Sequence, residues 1–157
     1  MYWSMARWLA MIKNADTNKI TLRGRCVVPG ISEGEALVTH QQISGWGGID
    51  SRTGTIVETR HELRGVSFAG KVLVFPGAKG SSGWSNAFHL TRTFGVGPAA
   101  MLFNEMTTKV ALGAVVTRAP CLTDFDQNPM DIIETGDWVR VDANQGLVEI
   151  TKRSKAT

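Results

Sequence analysis

The chain has 157 residues, 43% of them apolar and 20% charged, which suits one domain with a single core and leaves too little for two. Its formal charge of +3 gathers at the ends, in Arg7, Lys13 and Lys19 and in Lys152, Arg153 and Lys155, so the body is slightly acidic and carries no stripe for nucleic acid. No apolar run approaches the ~20 residues of a membrane span.

Residues 1–19 hold Trp3, Trp8 and a short apolar run without a clear cleavage site, and are expected to form a mobile or interface-packed extension. The folded domain is expected over residues 20–151, followed by a basic tail, 152–157. Ile20 to Val28 reads as a strand closed by Pro29-Gly30, and Glu35 to Thr39 as a second. Ser44 to Asp50 (SGWGGID) is too rich in glycine for regular structure, and a short β segment follows over Thr55 to Thr59.

Lys71 to Pro76 (KVLVFP) is an apolar run between turn residues, the pattern of a buried strand. It leads into Gly77-Ala78-Lys79-Gly80-Ser81-Ser82-Gly83 and then a helix from about Ser85 to Phe94, with Ala87, Leu90 and Phe94 on one face and Gly95 at its end. Pro98 to Phe103 is the next strand, which makes a βαβ crossover. Thr107 or Thr108 is placed to cap a short helix toward Leu112, with an extended piece from Ala114 to Arg118. Two strands, Trp138 to Asp142 and Leu147 to Ile150, end the chain. The fold class is α+β and β-rich, a strand layer with one main helix packed on it.

The chemistry is expected at Gly80-Ser81-Ser82-Gly83, between the carboxyl end of a buried strand and the amino end of a helix. Backbone N–H groups are unpaired there and the helix dipole favours anions. On the loop alone, a plain N-cap with Ser82 or Ser85 satisfying the helix is the simpler reading. A serine base also needs help, because its hydroxyl ionises above tyrosine's ~10. A helix terminus supplies at most ~2 kcal/mol, roughly one and a half pKa units. The missing positive charge points to a partner. The two cysteines, Cys26 and Cys121, suit a reduced cytoplasmic protein with ordinary buried thiols; an iron–sulfur cluster usually takes three or four.

Gly24 to Asp50 (GRCVVPGISEGEALVTHQQISGWGGID), Leu63-Arg64-Gly65, Lys71 to Pro76, Gly80-Ser81-Ser82 and Thr135-Gly136-Asp137 together resemble the aconitase X small subunit, over about Leu22 to Ile150. The resemblance implies a swivelling β/β/α domain like the mobile domain of aconitase. It also implies a large aconitase-like subunit whose cysteines hold an iron–sulfur cluster, none being bound by this chain, and dehydration of a small hydroxy acid. By this resemblance Ser81 is the base that removes the proton beside a carboxylate. Gly80 and Ser82 flank the substrate, and Gly48 and Asp50 face the same cleft from the second loop. Beside this, Lys79 reads either as a partner that neutralises the substrate carboxylate or as a solvated loop lysine. Cis-3-hydroxy-L-proline is the expected substrate, with mevalonate 5-phosphate as the alternative. The pattern departs at Gly83-Trp84-Ser85, where Trp84 is expected to narrow the pocket.

Two other classes compete. A phosphocarrier swivelling domain would need its histidine at the helix start, whereas His89 lies two turns in. A non-catalytic assembly module would use the loops for contacts only. His40 and His61 have no metal-ligand spacing around them and are expected to be structural. Trp46 is expected to line the cleft or pack on the partner.

Overall fold

The computed structural model describes Met5 and residues 18–154. The strands are β1 (Lys19–Arg23), β2 (Arg25–Val28), β3 (Ile31–Val38), β4 (Ile43–Ser44), β5 (Ile49–Asp50), β6 (Thr55–Ile56), β7 (Val72–Phe75), β8 (Ala78–Lys79), β9 (Ala100–Phe103), β10 (Cys121–Thr123), β11 (Trp138–Asp142) and β12 (Leu147–Thr151). The helices are α1 (Trp84–Thr93), α2 (Thr108–Thr117) and the four-residue α3 (Pro129–Ile132).

Eight strands form one sheet in the order β1-β12-β11-β3-β7-β9-β10-β2. The single strand expected over Ile20 to Val28 is interrupted at Gly24: its first half pairs antiparallel with β12 and its second with β10. One bent segment thus supplies both edges of the sheet, which must curl back on itself. Strand β3 is shared in the same way, antiparallel to β11 along Ile31–Glu35 and parallel to β7 along Ala36–Val38.

Strands β7 and β9 pair in parallel and are buried throughout, as their unbroken apolar runs require of a sheet covered on both faces. Alternation divides them between two cores. Val72, Val74, Ala100 and Leu102 face the inside of the curl, with Leu22, Val139, Val141, Val148 and Ile150. Leu73, Phe75, Met101 and Phe103 face the helices, with Trp84, Phe88, Val110 and Ala114. The result is the β/β/α layering expected of the fold class.

The βαβ crossover β7–α1–β9 is present, but α1 turns a different face inward. Trp84, Ala87, Phe88 and Thr91 are buried, whereas Phe94 is 48% exposed with the Arg52 guanidinium over its ring. The Trp84–Phe88 stack one turn apart sets that face, with ring centroids 4.1 Å apart. Helix α2 runs through Thr117 and takes in the piece expected to be extended. Its β-branched residues disfavour helix only weakly, and packing against α1 overrides them. Thr107 caps it, accepting from the Val110 N–H. Strand β10 and helix α3 escaped the sequence reading; β10 is three residues long, and α3 starts at an Asn128 cap followed by Pro129.

Asp137 anchors the end of the chain. Buried, it accepts from the Lys152 ammonium at 2.6 Å, the Arg153 N–H at 2.9 Å and the Glu134 N–H at 2.8 Å. Lys152 and Arg153, expected in a tail, are therefore docked on the domain. Residues 155–157 lie outside the described residues, as does the expected extension apart from Met5, Asn18 and Lys19.

Candidate functional site

Strands β4 and β8 run parallel, with Ser44 opposite Lys79, so the glycine loop and the serine loop leave the sheet side by side. The chain turns at Gly80, whose φ of +95° an L side chain rarely adopts. The Ser44 hydroxyl is 3.4 Å from where a Gly80 Cβ would stand. Ser81 and Ser82 are exposed. The Ser81 carbonyl accepts from the Trp84 N–H at 3.2 Å, and the Ser85 hydroxyl donates to the Ser82 carbonyl at 3.3 Å.

The residue capping α1 is Gly83, with no side-chain hydrogen bond, so neither Ser82 nor Ser85 acts as the plain N-cap. The Ser81 hydroxyl takes only a long contact, 3.4 Å, from the Gly83 N–H. A hydroxyl therefore stands at the mouth of a helix whose first N–H groups have no side-chain cap.

Trp84 does not narrow a pocket. It is fully buried, donating from Nε1 to the Ile43 carbonyl at 2.9 Å and stacking on Phe88 and Phe75. It pins the start of α1 and so the end of the serine loop. The exposed indole nearby is Trp46, 68% accessible, whose Cβ is 3.7 Å from the position of a Gly83 Cβ.

The other expected site residues divide. Lys79 pairs with Glu58 at 2.5 Å, so its charge is already met within the chain. The Gly48 carbonyl accepts from the Val57 and Glu58 N–H groups, and a Cβ at Gly48 would fall 2.2 Å from the Ser44 carbonyl oxygen, a packing reason for glycine there. Asp50 closes a turn: its carboxylate accepts from the Arg52 N–H at 2.9 Å and its carbonyl from Thr53 and Gly54. The next residue, Ser51, donates to the Ala87 carbonyl at 2.8 Å, which sets this turn along the flank of α1.

Lys109, on the first turn of α2, was not anticipated. Its ammonium donates to the Gly80 carbonyl at 2.5 Å. With Ser82, Thr107, Thr108 and Leu112 it lines a shallow cavity of about 340 Å³ beside the serine loop. The available signal was Thr-Thr-Lys opening a helix right after a parallel strand, since both helices then begin at the same sheet edge. At that edge too, Glu62 accepts from the Thr39 hydroxyl at 2.5 Å and the His40 N–H at 2.9 Å, which hold its carboxyl below the usual value.

Among the described residues no group of three or more His, Cys, Asp or Glu could hold a metal ion. Cys121 is buried, but Cys26 is exposed, contrary to expectation, because β2 is an edge strand; both thiols are free and do not fit an iron–sulfur cluster. His61 is buried, its Nδ1 accepting from the Leu63 N–H at 3.0 Å. His89 is exposed in the middle of α1, away from the helix start that a phosphocarrier would need. No helix among the described residues is long and apolar enough to cross a membrane.

A curled sheet with its two ten-residue helices on one face, and a serine loop open to solvent at its parallel edge, defines a swivel domain of the β/β/α type. Residues 21–150 match the aconitase X swivel domain, and the chain belongs to that family. It is 37% identical over 133 residues to the phosphomevalonate dehydratase small subunit of Methanosarcina acetivorans, covering 85% of this chain and 92% of that one. The protein of the same name from Archaeoglobus fulgidus is 42% identical over 126 residues, 80% and 95% of the two chains. The crystal structure of holo aconitase X from Thermococcus kodakaraensis superposes with a TM-score of 0.79 at 38% identity, covering 85% of this chain and 99% of that one.

Proposed function

We propose that this chain is the small subunit of a phosphomevalonate dehydratase, a hydro-lyase completed by a large aconitase-like subunit. The observation that carries it is the exposed Ser81 hydroxyl at the uncapped start of α1, in a chain collinear with relatives that bear that name. Those names favour phosphomevalonate over the hydroxyproline expected first. The iron–sulfur cluster implied by the family would belong to the large subunit, since the two thiols here do not fit one. A cytoplasmic location, with neither nucleic acid nor membrane as partner, completes the proposal.

In this reading Ser81 is the base. It takes the proton from the carbon beside the substrate carboxylate, and the hydroxyl leaves on the side that the large subunit covers. Gly80 gives the loop its turn, Ser82 faces the cavity beside Lys109, and Trp84 fixes the loop's far end. The substrate-binding set is Gly80, Ser82 and Lys79, with Gly48 and Asp50 shaping the second loop; Lys79 acts here through its pair with Glu58.

In the two-subunit complex, Ser81→Ala is expected to lower kcat by roughly two to four decades while assembly is unchanged. An unaltered rate overturns the role of Ser81. The intact complex is expected to turn over phosphomevalonate and leave cis-3-hydroxy-L-proline untouched; the opposite preference overturns the substrate.

A further inference from the structure

We infer that Lys109 is a positioning residue for Ser81, holding the serine loop in its turn and supplying from within this chain part of the positive charge that the base needs. The inference rests on the reading of Ser81 as the base.

Two lysines flank the loop, and the structure treats them differently. Lys79, in the strand leading in, is paired with Glu58 at 2.5 Å. Lys109 has no carboxylate partner among the described residues and donates instead to the Gly80 carbonyl at 2.5 Å. Glu105, in the loop after β9, accepts from Gln42 at 2.6 Å and stands against Gly77. The Lys109 ammonium is therefore a charge beside the serine loop that no carboxylate among the described residues meets.

The contact does two things at once. It ties the carbonyl of the residue with the left-handed φ to a helix start fixed by the Thr107 cap, so the turn at Gly80 is held at both ends. It also sets a cation within roughly 8 Å of the Ser81 oxygen, as peptide bond lengths require when the ammonium touches the preceding carbonyl. A unit charge at that range, in a site only partly shielded from water, lowers the hydroxyl's pKa by about one to two units. That is comparable to the helix terminus itself, and it adds to it.

The test uses the assembled two-subunit enzyme with phosphomevalonate as substrate and follows kcat, KM and the pH profile of kcat for Lys109→Met, Lys109→Arg and Ser81→Ala. Loss of the charge raises the pKa of the base. Lys109→Met is thus expected to move the acidic limb of the profile up by about one to two pH units, and to lower kcat about 10- to 100-fold at neutral pH, with KM within about threefold. Lys109→Arg, which keeps charge and reach, is expected to recover the rate to within about threefold. A Lys109→Met profile that coincides with the parent's, or a loss that arginine does not repair, overturns the inference. If Lys109→Met fails to assemble, Lys109→Gln is compared with Lys109→Arg, and coincident profiles for those two overturn it equally. An active Ser81→Ala enzyme removes the reading on which this one rests; an inactive one beside a parent-like Lys109→Met removes this one alone.

Discussion

Replacing Gly113 by alanine separates local propensity from tertiary packing, because the two call for opposite signs. Within the ten-residue α2, alanine in place of glycine would by propensity alone stabilise the helix by about 1 kcal/mol. In the folded chain the added Cβ would lie 2.1 Å from Cζ3 and 2.5 Å from Cε3 of Trp84. The indole cannot yield easily: it is fully buried, stacked on Phe88 and tied through Nε1 to the Ile43 carbonyl.

Overpacking of this kind costs about 1–3 kcal/mol, and displacing the indole would leave a buried carbonyl unpaired for about as much again. Less the propensity gain, the variant is expected to lose about 3 kcal/mol. For a chain of this size that lowers Tm by roughly 6–12 °C. Urea denaturation followed by circular dichroism, with a thermal melt alongside, measures both. A Gly113→Ala chain as stable as its parent, or more so, would refute the account of how α1 and α2 meet.

Two further expectations concern stability and exposure. Burial pushes the Asp137 carboxyl upward, but the bond from Lys152 and the N–H groups of Arg153 and Glu134 outweigh it, leaving the pKa below the ordinary 3.8. Its stabilisation is therefore complete above about pH 4 and is lost as pH falls through the folded value. Asp137→Asn is expected to cost about 1–3 kcal/mol at neutral pH and to flatten the acid limb of the stability curve, and a parent-like acid limb would count against the anchor. Thiol labelling of the native chain is expected to modify Cys26 at once and Cys121 only on unfolding, because burial raises the Cys121 pKa and shields its sulfur. Equal rates for the two would contradict the placement of β10.

Much of the parallel half was legible. The VLVF run of β7, the turn residues after it and the amphipathic stretch of α1 are local patterns, and local patterns follow from residues that are neighbours in sequence. The serine loop was found the same way, by its place between a strand and a helix. The inward face of α1 was misread because Ala87–Leu90–Phe94 and Trp84–Phe88–Thr91 both satisfy helical spacing; which one turned inward depended on Phe75 and Gly113 being there to receive Trp84. Cys26 was misread because nothing local marks β2 as an edge strand.

The sequence by itself determined the strand-rich α+β class, the β7–α1–β9 crossover and the serine placed before a helix, since each of these resides in local patterns, and the family, since its motifs keep their order along the chain. Only the tertiary structure decided that one bent segment would supply both edges of the sheet, that Lys79 would be met by Glu58, and that Lys109 would reach Gly80. Those contacts join segments about 20 to 130 residues apart, and chain closure over such distances is driven by burial of the whole core rather than by any local preference.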